Sequence, residues 1–324
     1  MLLTDAIDSF LRDLDVGRSP ATVRTYRVAL RRFAEYRLAR TPERLSLEAI
    51  TADDLLDFTR HLSRARSPRT TIETYTTAIS RFYAFLVREG LRTDLPLETL
   101  QLRLAALRGK RRRALPRVPS DEVIDRIVLQ ARGDTGTSPL IRMRNIAIVE
   151  TLRGSGIRVA ELVGLRRGDL DRSRRSAIVT GKGEKQRLVL FTDSAWIAIE
   201  EYVAARGDTS FGRGLAHVPL FSRHDRATPR VSPLSTNAIR AIVWGLAQDA
   251  GLMDAALTPH RFRAWFATHL VAATGDLAAV QDLLGHESAD TTRVYTRVAA
   301  TRLREIHARA FASNDSKLQS ANVG

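Results

Sequence analysis

The sequence predicts a mainly α-helical protein of two domains, with one small antiparallel β-sheet in the second. Three observations lead there. Apolar residues recur at helical spacing through most of the 324 residues, and Ser, Thr and Pro punctuate the starts of these runs. The periodicity fails between Leu104 and Pro119, where AALRGKRRRALPRVP carries Gly, two prolines and a basic run. One segment, GDLDRSRRSAIVTGKGEKQRLVLFTD, reads as two short β-rich arms around Gly181-Lys182-Gly183, a hairpin.

Over the first hundred residues, four or five helices fit. Ser19-Pro20, Thr51 and Ser67-Pro68 stand in N-cap and N1 positions ahead of apolar-periodic runs. The runs from Arg18 and Arg66 share the entry Arg-Ser-Pro and a later Arg-Phe pair, two similar helix starts rather than a repeat array. The broken stretch is an interdomain linker, so the expected domains are 1–105, the linker 106–119, a second domain 120–312 and a flexible tail 313–324. The linker's Lys110, Arg111, Arg112 and Arg113 are either solvated or in contact with phosphates. After it, Ser120-Asp-Glu and Ser138-Pro139 start helices, the second running through MRNIAIVETLRGSG to a Gly-rich break and a third helix, IRVAELVGL. Beyond the hairpin, helices are expected over about 193–206, 234–250, 260–273, 276–284 and 290–310, with Thr258-Pro259 and Ser288 marking starts.

With 51 Lys plus Arg against 36 Asp plus Glu, a formal net charge of +15 favours a polyanionic partner such as nucleic acid over an acidic membrane surface. No stretch reaches the roughly 18 to 20 apolar residues of a membrane span, and MLLTDAIDSF lacks the marks of a signal peptide, so a soluble cytoplasmic protein is expected. Without cysteine there is no disulfide, thiol nucleophile or thiolate metal site. Only Lys110, Lys182, Lys185 and Lys317 are lysines; codon usage in a GC-rich genome is the favoured reading of that bias, beside the suitability of Arg for phosphate recognition, and each retained lysine is worth notice.

Taken singly, the polar residues of the second domain are ordinary. Arg158 reads as one more surface arginine, His260 as a helix-start residue, His286 as a packing residue beside Gly285, and His269 as core or supporting. Together Arg158, Lys182, His260, Arg263, His286 and Tyr295 form a set. The segments GSGIRVAELVGL, TGKGEKQRLV, LTPHRFRAWFATHL and LLGHESADTTRVYTRV resemble, in order, the Arg box, lysine hairpin, His-x-x-Arg box and Leu-Gly-His-to-Tyr box of the tyrosine recombinase (phage integrase) family. The helical N-terminal part is similar to the core-binding domain of Xer-type recombinases and phage integrases. The resemblance implies a site-specific recombinase with a helical core-binding domain and an α/β catalytic domain. It also implies a tetramer on two DNA sites, exchanging strands through a Holliday junction, and it makes the segment RVAATRLREIHARAF similar to one that contacts a neighbouring protomer, although its mixed charge suits an exposed helix too.

The chemistry explains why such a set is needed. When a hydroxyl attacks a phosphodiester, charge builds on the phosphorus oxygens, and Arg158, Arg263 and His286 are donors able to stabilise it without a metal or cofactor. Each such donor is worth on the order of 3 kcal/mol. Tyr295 is the candidate nucleophile, the only tyrosine after Tyr202. A phenol's pKa of about 10 calls for a base, which is His260, as the resemblance also implies. Lys182 on its Gly-flanked hairpin is the candidate proton donor to the leaving 5′-oxygen, with Lys185 as runner-up. The phosphotyrosyl link conserves bond energy, so rejoining needs no ATP. Glu161, one helical turn from Arg158, supports its rotamer. Gly285 is expected to turn the chain tightly ahead of His286.

Two departures stand out. Ala264 occupies the position after Arg263 where many relatives have His, and the ending FASNDSKLQSANVG lacks the basic, proline-containing end common in Xer proteins, which leaves mobile-element integrases open. The rival readings are a catalytically silent DNA-binding regulator, a type IB topoisomerase and a helical scaffold. Expected partners are double-stranded DNA sites, sister protomers in a homo- or heterotetramer, and accessory DNA-bending or sister recombinase proteins. Arg240 on the 234–250 helix, and the arginines of the helix from Ser67, are candidates for DNA contact.

Overall fold

The computed structural model describes residues 1–40, 46–92, 97–108, 118–181, 186–207, 215–224, 231–285 and 305–311. Contacts divide the chain into two units, Met1–Ala114 and Leu115–Gly324.

Five helices build the first unit: α1 (Leu3–Asp15), α2 (Pro20–Arg40), α3 (Ala52–Arg64), α4 (Arg69–Arg88) and α5 (Leu97–Arg108). Their apolar faces meet in one core around Phe10, Phe33, Phe58 and Phe82. Thr51 caps α3 in a capping box, its own N–H donating to Asp54 Oδ2 at 2.8 Å. Ser67 differs from its expected role. Its N–H closes α3 onto Leu62 O after Arg66 turns left-handed at φ 52°, so α4 starts at Arg69 with Pro68 as the capping residue. The fifth helix continues to Arg108, three residues into the expected linker, because Leu104 packs inward and Ala105, Ala106 and Leu107 are strong helix formers. Lys110, Arg111, Arg112 and Arg113 lie outside the described residues.

In the second unit, α6 (Asp121–Gly133) and α7 (Pro139–Ser155) lead to the short α8 (Val159–Gly164). The second half of α7 is buried nearly all round, as a central helix must be, and α6, α9 and α11 pack against it. A three-stranded antiparallel sheet follows: β1 (Leu170–Asp171), β2 (Ser176–Thr180) and β3 (Gln186–Leu190), in the order β1-β2-β3. The expected hairpin is β2 and β3, in register from Ser176↔Leu190 to Thr180↔Gln186. Strand β1 is too short to show alternation in sequence; Arg175, at φ 46°, helps turn the chain so that Leu170 pairs with Ala177. Then come α9 (Asp193–Ala205), α10 (Thr236–Asp249), α11 (Pro259–Thr274) and α12 (Leu277–Leu284). Residues 305–311 form a last helical stretch that docks one face within its own unit and leaves Glu305, Ala308 and Arg309 exposed. There Phe311 packs on Phe266 and Trp265, and the buried His307 hydrogen-bonds Gly154 O at 2.7 Å.

Among the described residues no helix is long and apolar enough to cross a membrane.

Candidate active site

Helix α11 starts as its sequence dictates: Thr258 Oγ1 accepts the Arg261 N–H at 3.3 Å, and Pro259 fills the first turn. His260 and Arg263, three apart, share one side of that turn. His260 is exposed, whereas Arg263 turns inward and is buried. Its Nη1 donates to Gly156 O at 2.7 Å and its Nη2 to Leu284 O at 2.5 Å.

Gly156 is the left-handed cap of α7 at φ 57°, and a Cβ there would come within 2.4 Å of Phe266 Cδ1, so only glycine ends the helix this closely against α11. Two residues on, Arg158 caps α8. Its backbone N–H donates to Glu161 Oε2 at 2.9 Å, its Nη1 to Glu161 Oε1 at 2.8 Å, and its Nη2 to Gly285 O at 2.7 Å. The sequence expectation had Glu161 beside Arg158; the structure adds a second partner. Arg187 on β3 reaches Glu161 Oε2 through Nη2 at 2.6 Å and Oε1 through Nε at 3.3 Å, and its Nη1 donates to Leu283 O at 2.8 Å.

Three consecutive carbonyls at the end of α12, those of Leu283, Leu284 and Gly285, are thus each held by a different arginine. A helix C-terminus leaves its last carbonyls without intrahelical partners and carries partial negative charge, which cations offset. Three guanidiniums nonetheless face one carboxylate, so the cluster keeps an excess of positive charge. Burial pushes the Arg263 guanidinium down to about 9, with Arg158 and Arg187 adding to the shift. It remains a cation at neutral pH. Burial would raise the Glu161 carboxyl, but Arg187 first and Arg158 second reverse that and hold it below the usual range. The Arg158 side chain is 41% exposed and opens the cluster to solvent. Such an array suits the oxygens of a phosphodiester.

Of the sequence-predicted residues, Arg158, Glu161 and Arg263 come together, and Gly285, left-handed at φ 62°, brings the chain to the position just before His286. His286, Tyr295, Lys182 and Lys185 lie outside the described residues. Arg240 is exposed on α10, bonded to Asn237 Oδ1 at 3.0 Å. His269 stands apart from the cluster, stacked on Trp265 and bonded to Ala310 O at 2.8 Å. Arg187 is the residue that sequence reasoning missed. Its signal was strand alternation, since in Gln-Arg-Leu-Val-Leu it shares a face with the buried Val189, an arginine on the inward side.

Residues 122–302 match the model of the phage integrase family, and residues 7–90 match the phage integrase N-terminal SAM-like domain. The chain is 36% identical to tyrosine recombinase XerC of Mycobacterium sp. (strain KMS), over 94% of its own length and 97% of that protein. It is 32% identical to tyrosine recombinase XerD of Halalkalibacterium halodurans, over 90% and 92%. The chain belongs to the phage integrase family of tyrosine recombinases. The fold of this recombinase is shared by the Tn1549 transposon integrase in complex with a circular intermediate DNA, with a TM-score of 0.65 at 16% identity over 94% of this chain and 99% of that one. It is also shared by the XerH site-specific recombinase bound to palindromic difH substrate, with a TM-score of 0.63 at 23% identity over 88% and 79%.

Proposed function

We propose that this tyrosine recombinase cuts and rejoins DNA at a specific site through a covalent 3′-phosphotyrosyl link to Tyr295. The observation that carries the reading is the excess positive charge of Arg158, Arg187 and Arg263 gathered on the α12 turn that leads into His286. In the reaction, Tyr295 Oη attacks phosphorus as its proton passes to His260. Arg158, Arg263 and His286 donate to the non-bridging oxygens as charge builds there. The bond from phosphorus to the 5′-oxygen breaks, and Lys182 supplies the proton to that oxygen. A 5′-hydroxyl of a second strand reverses the sequence and rejoins the DNA. On this reading residues 1–105 are the core-binding domain, 106–119 the linker and 120–312 the catalytic domain, and protomers act as a tetramer through a Holliday junction. Solved relatives bound to DNA support DNA as the partner.

The test uses a nicked duplex selected for binding from a random-sequence pool. The wild-type chain is expected to form a protein–DNA adduct that survives denaturation, while Tyr295→Phe binds with similar affinity and forms none. An adduct with Tyr295→Phe rejects the assignment.

A further inference from the structure

Arg187 has no place in the steps above, yet it is buried at the point where three parts of the site meet. Its backbone belongs to β3; its guanidinium grips Glu161 of α8 and Leu283 O of α12. A Cβ on Gly285 would lie 2.8 Å from Arg187 Cδ, so the α12 turn is also packed against its stem.

The sharing of Glu161 is uneven. Arg187 spans both carboxylate oxygens, while the Arg158 side chain has one of them, through Nη1 alone. We propose that Arg187 is a positioning residue that, by occupying Glu161, keeps the Arg158 guanidinium available to the scissile phosphate. Were Arg187 absent, the buried carboxylate would keep Arg158 as the side-chain cation hydrogen-bonded to it among the described residues, and the two-pronged pairing that guanidinium and carboxylate favour would draw Arg158 inward. The α12 turn would lose its bond at Leu283 O as well. The role rests on the recombinase reading above and adds to it.

The test compares wild type, Arg187→Gln and the double variant Glu161→Gln/Arg187→Gln on the nicked duplex. Measurements are affinity, melting temperature and the rate of adduct formation at saturating DNA. Arg187→Gln is expected to bind normally and cleave roughly a hundredfold more slowly, the scale of losing one charge-stabilising donor. The double variant removes the carboxylate that captures Arg158 and is expected to recover most of that rate. On a duplex whose scissile phosphate is a neutral methylphosphonate, the defect of Arg187→Gln should shrink, because less charge needs stabilising there; a general loss of stability would not move with substrate charge. Wild-type cleavage by folded Arg187→Gln, a double variant as slow as the single, or an equal defect on the methylphosphonate each overturns the proposal. Should Arg187→Gln fail to fold, the double variant decides alone, supporting the role if its loss of rate stays below about tenfold and refuting it if the loss is larger. Absence of any Tyr295-dependent adduct with wild type would instead reject the recombinase reading itself.

Discussion

Gly285 shows how finely the site depends on single residues. Its φ of 62° suits glycine, its carbonyl receives Arg158 Nη2, and an added methyl would press on Arg187. Gly285→Ala should therefore cost about 1–2 kcal/mol of stability, as strained left-handed positions do, and should slow cleavage by more than that loss explains, because two arginines shift. Chemical denaturation alongside the rate of adduct formation separates the two effects. The arginines can serve structure and ligand together because a guanidinium carries five donors. Arg158 uses Nη1 and Nη2 on Glu161 and Gly285 and still has capacity for a phosphate oxygen. Lysine, with three donors on a point charge, does not reproduce that geometry.

At the level of elements, the helical stretch 305–311 is held by two histidines, His307 on Gly154 O and His269 on Ala310 O, around the ring of Phe311. Burial drives the His307 imidazole down to about 4 in the folded protein, against 6.5 for a free group. The unfolded chain therefore binds a proton between pH 6.5 and 4 that the folded chain refuses. The stabilisation from keeping His307 neutral is complete above about pH 6.5 and is lost as the pH falls toward 4, a change of roughly 3 kcal/mol. Denaturant unfolding across pH 4 to 7.5 should show this slope, and His307→Gln, which keeps a donor but does not titrate, should flatten it; an unchanged slope would assign the pH dependence to other groups. The docking links the C-terminal stretch to the residues that end α7, two positions before the carbonyl that Arg263 holds.

Across the whole molecule, the excess of 51 basic over 36 acidic residues is a statement about affinity, not about chemistry. Phosphate contacts dominate such binding, so log affinity for duplex DNA should fall with log salt by roughly 0.9 per phosphate neutralised, and Arg240→Ala, if Arg240 meets a phosphate, should reduce the slope by about 1. Equilibrium binding over a salt series measures both; a salt-independent affinity would contradict a phosphate-tracking surface.

How much of this was legible in the chain itself follows from the range of the interactions involved. Helices α3, α7 and α11 could be read from Thr51, Ser138-Pro139 and Thr258-Pro259, because a cap and a 3.6-residue period are local signals. The β2–β3 hairpin and the Arg158–Glu161 pair were readable for the same reason. Strand β1 was not, since two residues carry no period, and neither were the partners of Arg187 on α8 and α12 and the docking of His307 across the fold. Composition and four ordered motifs determined the family and the chemistry to expect. Only the tertiary structure decided that guanidiniums from α8, β3 and α11 would converge on three successive carbonyls of α12, because those partners are separated by 21 to 127 residues and no local rule relates them.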